Sequence, residues 1–197
     1  MKLIEMQKKL LQSGLKIFST LEFRRLMGVS RSSAQQLLER YTKSGVLARL
    51  KGGLYAIITN YPSNYLIANK LYEPSYISFE KALSYYNLIP EAVYSITSAT
   101  TRTTREFTAG QQHFIYHKLK KPAFTGYALT AISGENALFA EKEKALADYL
   151  YLIFLGKKKL NERLKTRGIN TAKLISFASL FGRPKYLEWI RCFLKNK

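Results

Sequence analysis

The chain has 197 residues, of which 47% are hydrophobic, and a formal net charge of +19. This length allows one large domain or two small ones with hydrophobic cores, and no apolar run approaches the roughly 18 residues of a membrane-spanning helix. Cys192 is the only cysteine, which excludes an intrachain disulfide, and lysines interrupt the first apolar residues, which excludes a signal-peptide core. We therefore expect a soluble, cytoplasmic protein with no membrane partner, in which Cys192 is a buried thiol.

The positive charge is concentrated at the two ends of the chain. Residues 1–60 hold 11 Lys and Arg against three Asp and Glu, and residues 157–197 hold 12 against two, whereas the middle is almost neutral. Because neutralised phosphates release counterions, such ends favour polyanionic partners. At the second end, a nucleic-acid surface and a merely solubilising one both remain open. The candidate residues there are Lys157, Lys158, Lys159, Arg163, Lys165 and Arg167.

The first part of the chain carries the signals of three helices. Residues 2–12 have the apolar spacing of an amphipathic helix. Ser19 and Glu22 have the spacing of a capping box, which predicts a second helix that ends at Gly28. Ser30 is a suitable N-cap for a third helix, whose apolar residues recur at helical spacing.

A hairpin follows the three predicted helices. Two apolar runs, residues 46–50 and 54–58, flank a Gly-Gly pair that suits a two-residue turn. Three helices followed by a hairpin with basic residues near its tip are the sequence pattern of a winged helix-turn-helix, which we predict for residues 1–60.

The exposed face of the third helix and the hairpin supply candidate DNA-binding residues. Small or planar polar side chains near the start of a recognition helix reach base edges in the major groove, and the helix N-terminus favours a phosphate. Basic residues at a hairpin tip meet the DNA backbone or minor groove. The alternative is an ordinary polar surface, or a hairpin used for packing or protein contacts. The candidates are Ser30, Arg31, Ser32, Ser33, Gln35, Gln36, Arg40, Arg49 and Lys51.

Residues 61–197 are predicted to form a second unit of mixed α/β structure, so that the whole chain is α+β. A polar segment with a proline, residues 59–64, marks the boundary. We predict a small mixed sheet followed by a helical C-terminal end. The predicted helices cover residues 65–71, 78–86, 141–155, 161–166, 171–181 and 184–194. The predicted strands lie at residues 92–99, near 107, and at 113–119, 128–132 and 136–140.

Four segments together resemble the AbiEi-type antitoxins of bacterial abortive-infection, type IV toxin–antitoxin systems. They are Gly-Leu-Tyr-Ala at residues 53–56, Tyr-Ile-Ser-Phe-Glu-Lys-Ala-Leu at 76–83, the strand at 93–97, and Ala-Glu-Lys-Glu-Lys-Ala-Leu-Ala-Asp at 140–148. Lys142 stands where the common form of the last motif has proline.

The resemblance implies a function in two parts. The N-terminal winged helix would repress the protein's own operon by binding inverted repeats in the promoter. The C-terminal antitoxin domain would oppose a nucleotidyltransferase-like toxin without forming a stable complex with it.

Two other classes of protein are weighed against this prediction. An enzyme with bound divalent cations needs clustered carboxylates, and Asp148 is the only aspartate. His113 and His117 share one face of a strand but lack a third ligand nearby, so we expect no catalytic residue, metal or cofactor.

The alternative function is sequence-tolerant RNA or nucleic-acid binding without an antitoxin role, since 14 tyrosines are interleaved with basic residues. Core packing explains most of those tyrosines better.

Overall fold

A computed structural model describes residues 3–132 and 134–195 of the chain. Residue 2, where the first predicted helix begins, and residues 196–197 of the predicted second unit lie outside the described residues. The described residues form a mixed α+β structure with eight α-helices and two β-sheets. Within these same ranges, none of the helices combines the length and the apolar character needed to cross a membrane.

Three helices and a three-stranded antiparallel sheet make up the N-terminal part. In chain order the elements are α1 (Leu3–Gln12), β1 (Ile17–Ser19), α2 (Thr20–Met27), α3 (Arg31–Lys43), β2 (Leu47–Lys51) and β3 (Leu54–Ile57). The sheet order is β1-β3-β2. The three-residue strand β1 was not predicted, because so short an extended segment is stabilised by its partner β3 and carries little local signal.

Capping interactions define the ends of α2 and α3, as predicted. The Ser19 hydroxyl accepts a hydrogen bond from the Glu22 N–H at 3.2 Å, and the Glu22 carboxylate accepts one from the Ser19 N–H at 2.7 Å. Gly28 ends α2 in the left-handed conformation, with φ of 67°. Ser30 caps α3 by accepting from the Ser33 N–H at 3.2 Å. The capping box and both caps are therefore confirmed.

The second part is built on a six-stranded mixed sheet. Its elements are α4 (Asn64–Leu71), β4 (Ser75–Ile77), α5 (Phe79–Tyr85), β5 (Ile96–Thr100), β6 (Arg105–Ala109), β7 (Gln112–Lys118), β8 (Tyr127–Ile132), β9 (Glu135–Ala140), α6 (Lys142–Phe154), α7 (Thr171–Ser179) and α8 (Pro184–Lys195). The strand order is β6-β7-β5-β4-β9-β8.

Helices cover both faces of this sheet. The Tyr116 hydroxyl of β7 donates to the carbonyl oxygen of Ala68 in α4 at 2.6 Å. The Tyr76 hydroxyl of β4 donates to Asp148 in α6 at 2.9 Å. Tyr76 pairs with Ala99, and Ala99 pairs with the residue after Tyr116. Since side chains alternate along a strand, α4 and α6 lie on opposite faces.

Two sequence predictions for the C-terminal part are wrong. Residues 161–166 are not helical, because tertiary hydrogen bonds hold them: the Asn161 N–H donates to the Tyr149 hydroxyl at 3.0 Å, and the Lys165 N–H donates to the Leu88 carbonyl at 2.8 Å. Cys192 is exposed on α8 rather than buried. Its apolar neighbours in the sequence point to the core, whereas the helical turn places Cys192 on the outer face.

The hairpin β2–β3 contributes to two hydrophobic cores. Leu47 and Ile57 pack with the helices α1 to α3. Leu50 and Ala56 belong to the larger core of the second part. Because side chains of a strand alternate between its two faces, the hairpin stands between the two parts and packs against both.

Candidate nucleic-acid interface

Three arginines from three elements line one cleft. Arg24 lies on α2, Arg31 in the first turn of α3, and Arg49 on β2. The cleft has a volume of about 490 Å³ and is also lined by Thr20, Leu21, Gln35, Leu38, Gly53 and Tyr55. We call this site the arginine cleft.

Local packing brings the walls of the arginine cleft together. The Thr20 N–H, at the start of α2, donates to the Gly53 carbonyl oxygen at 3.0 Å, which holds the hairpin turn against that helix. Gly53 has a φ of 75°, a conformation that glycine adopts without strain. Leu38 is buried beneath the exposed face of α3 and anchors that helix to the core.

Positive charge in the arginine cleft is not balanced by acidic residues. None of the described residues that line it is Asp or Glu, and the three arginines form no ion pair with the described part of the chain. Glu22, on the same helix as Arg24, is held by the cap, and hydrogen bonds from Ser19 lower its pKa. An unpaired set of guanidinium groups in a concave site suits a phosphate, which arginine binds through two parallel hydrogen bonds.

The start of α3 adds further donors beside the arginine cleft. The hydroxyl of Ser30 lies 3.0 Å from that of Ser32 and donates to that of Ser33 at 2.9 Å. Ser32 is exposed, and Ser33 is half-buried. The positive end of the helix dipole falls at the same place, which favours an anion.

The structure divides the predicted DNA-binding residues into separate groups. Arg31, Gln35 and Arg49 meet in the arginine cleft. Gln36 and Arg40 line a different depression, together with Glu39, which pairs with Lys43 at 3.2 Å. The Arg40 guanidinium donates to the Tyr41 hydroxyl at 3.2 Å and lies 5.0 Å from the centre of that ring.

Lys51 is directed away from the arginine cleft. Its ammonium group donates to the carbonyl oxygen of Leu71 at the end of α4, and burial lowers its pKa. The alternating pattern of β2 is interrupted between Arg49 and Lys51 by an irregularity of the pairing with β3. We therefore do not assign Lys51 to the arginine cleft.

Sequence reasoning missed Arg24 and Thr20. Both lie on the helix before the predicted recognition helix, and they reach the site only because α2 packs against α3 and the hairpin turn. The adjacent basic pair Arg24-Arg25 in an otherwise amphipathic helix was the available signal.

The predicted second basic surface lies on the irregular chain between α6 and α7. Two of its six residues are paired with acids: Lys158 with Glu80, and Arg163 with Glu91 at 3.5 Å. Lys157, Lys159, Lys165 and Arg167 are exposed. These residues are neighbours in the chain, but part of their charge is neutralised by the α5 region.

The acidic and histidine residues considered for catalysis are separated by the fold. Among the described residues, no group of three His, Cys, Asp or Glu side chains is arranged to hold a metal ion. Asp148 lies in the middle of α6 and is completely buried. His113 is exposed, whereas His117 packs edge-on against Phe79, and burial lowers its pKa to about 4.

Comparison of the sequence with models of known protein families gives no match, and comparison with curated proteins gives no significant match.

Proposed function

We propose that the N-terminal part is a winged helix-turn-helix that binds double-stranded DNA, with α3 as its recognition helix. The observation that carries this proposal is the arginine cleft, in which Arg24, Arg31 and Arg49 stand without an acidic partner beside the exposed start of α3. In this arrangement the cleft takes a backbone phosphate. Gln35, one turn further along α3, faces the base edges.

The resemblance to AbiEi-type antitoxins extends the proposal to a biological role. We propose that the chain represses its own operon through inverted repeats in the promoter. The second part would oppose a nucleotidyltransferase-like toxin without a stable complex. What supports this extension is the order of the four sequence motifs along the chain.

Binding assays with the full chain test the proposal against RNA binding. Fluorescence anisotropy is measured with three probes: the promoter duplex with its inverted repeat, a scrambled duplex, and single-stranded RNA with the same number of phosphates. We expect the repeat duplex to bind most tightly. Tighter binding to the RNA would replace the repressor proposal with the alternative of a basic RNA-binding protein.

Neighbouring arginines on α2 provide a matched pair of variants. Arg24 lines the arginine cleft, whereas Arg25 is exposed outside it. We expect Arg24→Ala to make the negative slope of log K against log salt less steep by about one and to weaken binding to both duplexes alike. Arg25→Ala removes the same charge and is expected to leave the slope unchanged. Equal effects of the two variants would contradict the assignment of the cleft.

Gln35 tests sequence reading rather than phosphate binding. Gln35→Ala is expected to cost about 1–3 kcal/mol on the repeat duplex and much less on the scrambled one, because it removes a contact with a base edge. An equal loss on both duplexes would assign Gln35 to the backbone.

A further inference from the structure

Three cationic side chains meet where the hairpin contacts the second part of the chain. Lys51 ends β2, Arg102 lies in the connection between β5 and β6, and Arg105 begins β6. We call Lys51, Arg102 and Arg105 the cation cluster. Both arginines are exposed, and Lys51 is half-buried.

The side chains of the cation cluster pack on two aromatic rings, Phe107 and Tyr72. The Lys51 ammonium and the Arg105 guanidinium lie 5.7 and 5.6 Å from the centre of the Phe107 ring. The Arg102 guanidinium lies 4.5 Å from the centre of the Tyr72 ring, and the two rings are 5.4 Å apart. Cations over ring faces are attracted by the ring quadrupole, which orients these flexible side chains.

The charges of the cation cluster are not neutralised by the protein. Lys51, Arg102 and Arg105 form no ion pair with the described residues. Glu73 lies nearby, but its carboxylate pairs with Lys70 at 3.0 Å, and its carbonyl oxygen accepts from Arg102 at 3.3 Å. Burial is the main cause of the lowered pKa of Lys51. The positive charges of Arg102 and Arg105 lower that pKa further, and the negative charge of Glu73 partly offsets the shift. Like charges held this close are stabilised by a bound anion.

The cation cluster is also close to the arginine cleft along the chain. Arg49 of the cleft and Lys51 of the cluster are two residues apart on β2, which corresponds to at most ~7 Å of strand. One turn of duplex DNA is ~34 Å long. The two sites are therefore separated along β2 by much less than one turn of duplex, although the Lys51 side chain is directed away from the arginine cleft.

We propose that the cation cluster is a second binding site for the sugar-phosphate backbone of duplex DNA, formed by the second part of the chain beside the hairpin. The inference rests on the proposed function of the N-terminal part. In this proposal Arg102 and Arg105 contact phosphate oxygens, while the half-buried Lys51 adds positive charge beneath the exposed arginines. Thr103 and Thr104, exposed between the two arginines, are further donors for the same backbone.

The test is the salt dependence of binding by the full chain to the promoter duplex. The variant Arg102→Gln/Arg105→Gln keeps polar side chains with hydrogen-bond donors at both positions and removes two charges. The variant Lys185→Gln/Arg191→Gln removes two charges from exposed positions on α8 and serves as the matched control. Urea unfolding curves establish that both variants are folded.

We expect the slope of log K against log salt, which is negative, to become less steep by about two in the cluster variant. The preference for the repeat over the scrambled duplex should stay unchanged. The α8 control is expected to keep the slope of the unmodified chain. A cluster variant with an unchanged slope, or a control with the same loss, would overturn the inference while leaving DNA binding by the arginine cleft intact. Failure of the unmodified chain to bind the duplex would overturn the proposed function and this inference together.

Discussion

Replacing Asp148 by leucine is expected to destabilise the protein more than replacing its partner Lys144 by methionine. Both side chains are fully buried on α6, one turn apart, and the Lys144 ammonium donates to Oδ1 of Asp148. The other carboxylate oxygen accepts from the hydroxyls of Tyr76 at 2.9 Å and Ser78 at 2.7 Å. Burial raises the pKa of Asp148 and lowers that of Lys144, so each charge depends on the other.

The magnitude follows from what each substitution leaves behind. Lys144→Met leaves a buried carboxylate that keeps its two hydroxyl donors, and breaking a buried ion pair costs about 3–5 kcal/mol. Asp148→Leu leaves a buried ammonium and also removes the acceptor of Tyr76 and Ser78, which adds about 1–3 kcal/mol for each hydroxyl. The double variant carries no unpaired charge, so we expect it to be more stable than Asp148→Leu alone.

Urea unfolding of the four proteins measures this double-mutant cycle, with Trp189 fluorescence and circular dichroism as probes. The expected outcome is a double variant whose loss of unfolding free energy is several kcal/mol smaller than the sum of the two single losses. Additive losses would refute the reasoning, because they would mean that Lys144 and Asp148 do not stabilise each other.

Two further predictions concern His117 and Gly126. Burial, more than the nearby lysines, lowers the pKa of His117 to about 4. Because the unfolded chain binds a proton near pH 6.5, the free energy of unfolding should fall by up to about 3 kcal/mol between pH 6.5 and 4. Urea unfolding at several pH values should show that this free energy depends less on pH in His117→Gln. A Cβ on Gly126, whose φ is 72°, would lie 2.5 Å from the Phe177 ring, so Gly126→Ala should cost about 1–3 kcal/mol, whereas Gly110→Ala, with open space around it, should cost less in the same assay.

Elements with strong local chemistry were predictable from the sequence. The capping box of α2 depends on two side chains three residues apart, and Ser30 caps α3 through the nearby Ser33 N–H. These interactions need no distant partner. The helix predicted at residues 141–155 is present as α6, Lys142–Phe154.

The short strands and the connection between α6 and α7 were not predictable, because distant residues determine their conformation. Strand β4 has three residues, and its extended conformation depends on pairing with β5 and β9. Residues 161–166 contain residues compatible with a helix, but hydrogen bonds to Tyr149, Leu88 and Glu91 hold the segment in irregular structure. Tertiary contacts outweigh helix propensity here.

The candidate site was predicted in part. Helical periodicity identified Arg31 and Gln35 on the exposed face of α3, and the hairpin signal identified Arg49. Arg24 was missed because its contribution depends on how α2 crosses α3. Lys51 was predicted together with Arg49, but tertiary packing turns it toward the carbonyl oxygen of Leu71 and away from the arginine cleft.

The hairpin links the proposed DNA-binding surface to the rest of the molecule. Leu50 and Ala56 are buried in the core of the second part, on the same two strands that carry Arg49 and line the arginine cleft. A second link is Glu135, whose carboxylate pairs with Lys16 and accepts from the Ser63 N–H at 2.7 Å. Removing the second part would expose the apolar side of the hairpin and leave Lys51 without its carbonyl partner. We therefore expect the geometry of the arginine cleft to depend, through the packing of Leu50 and Ala56, on residues beyond the predicted boundary at residue 60.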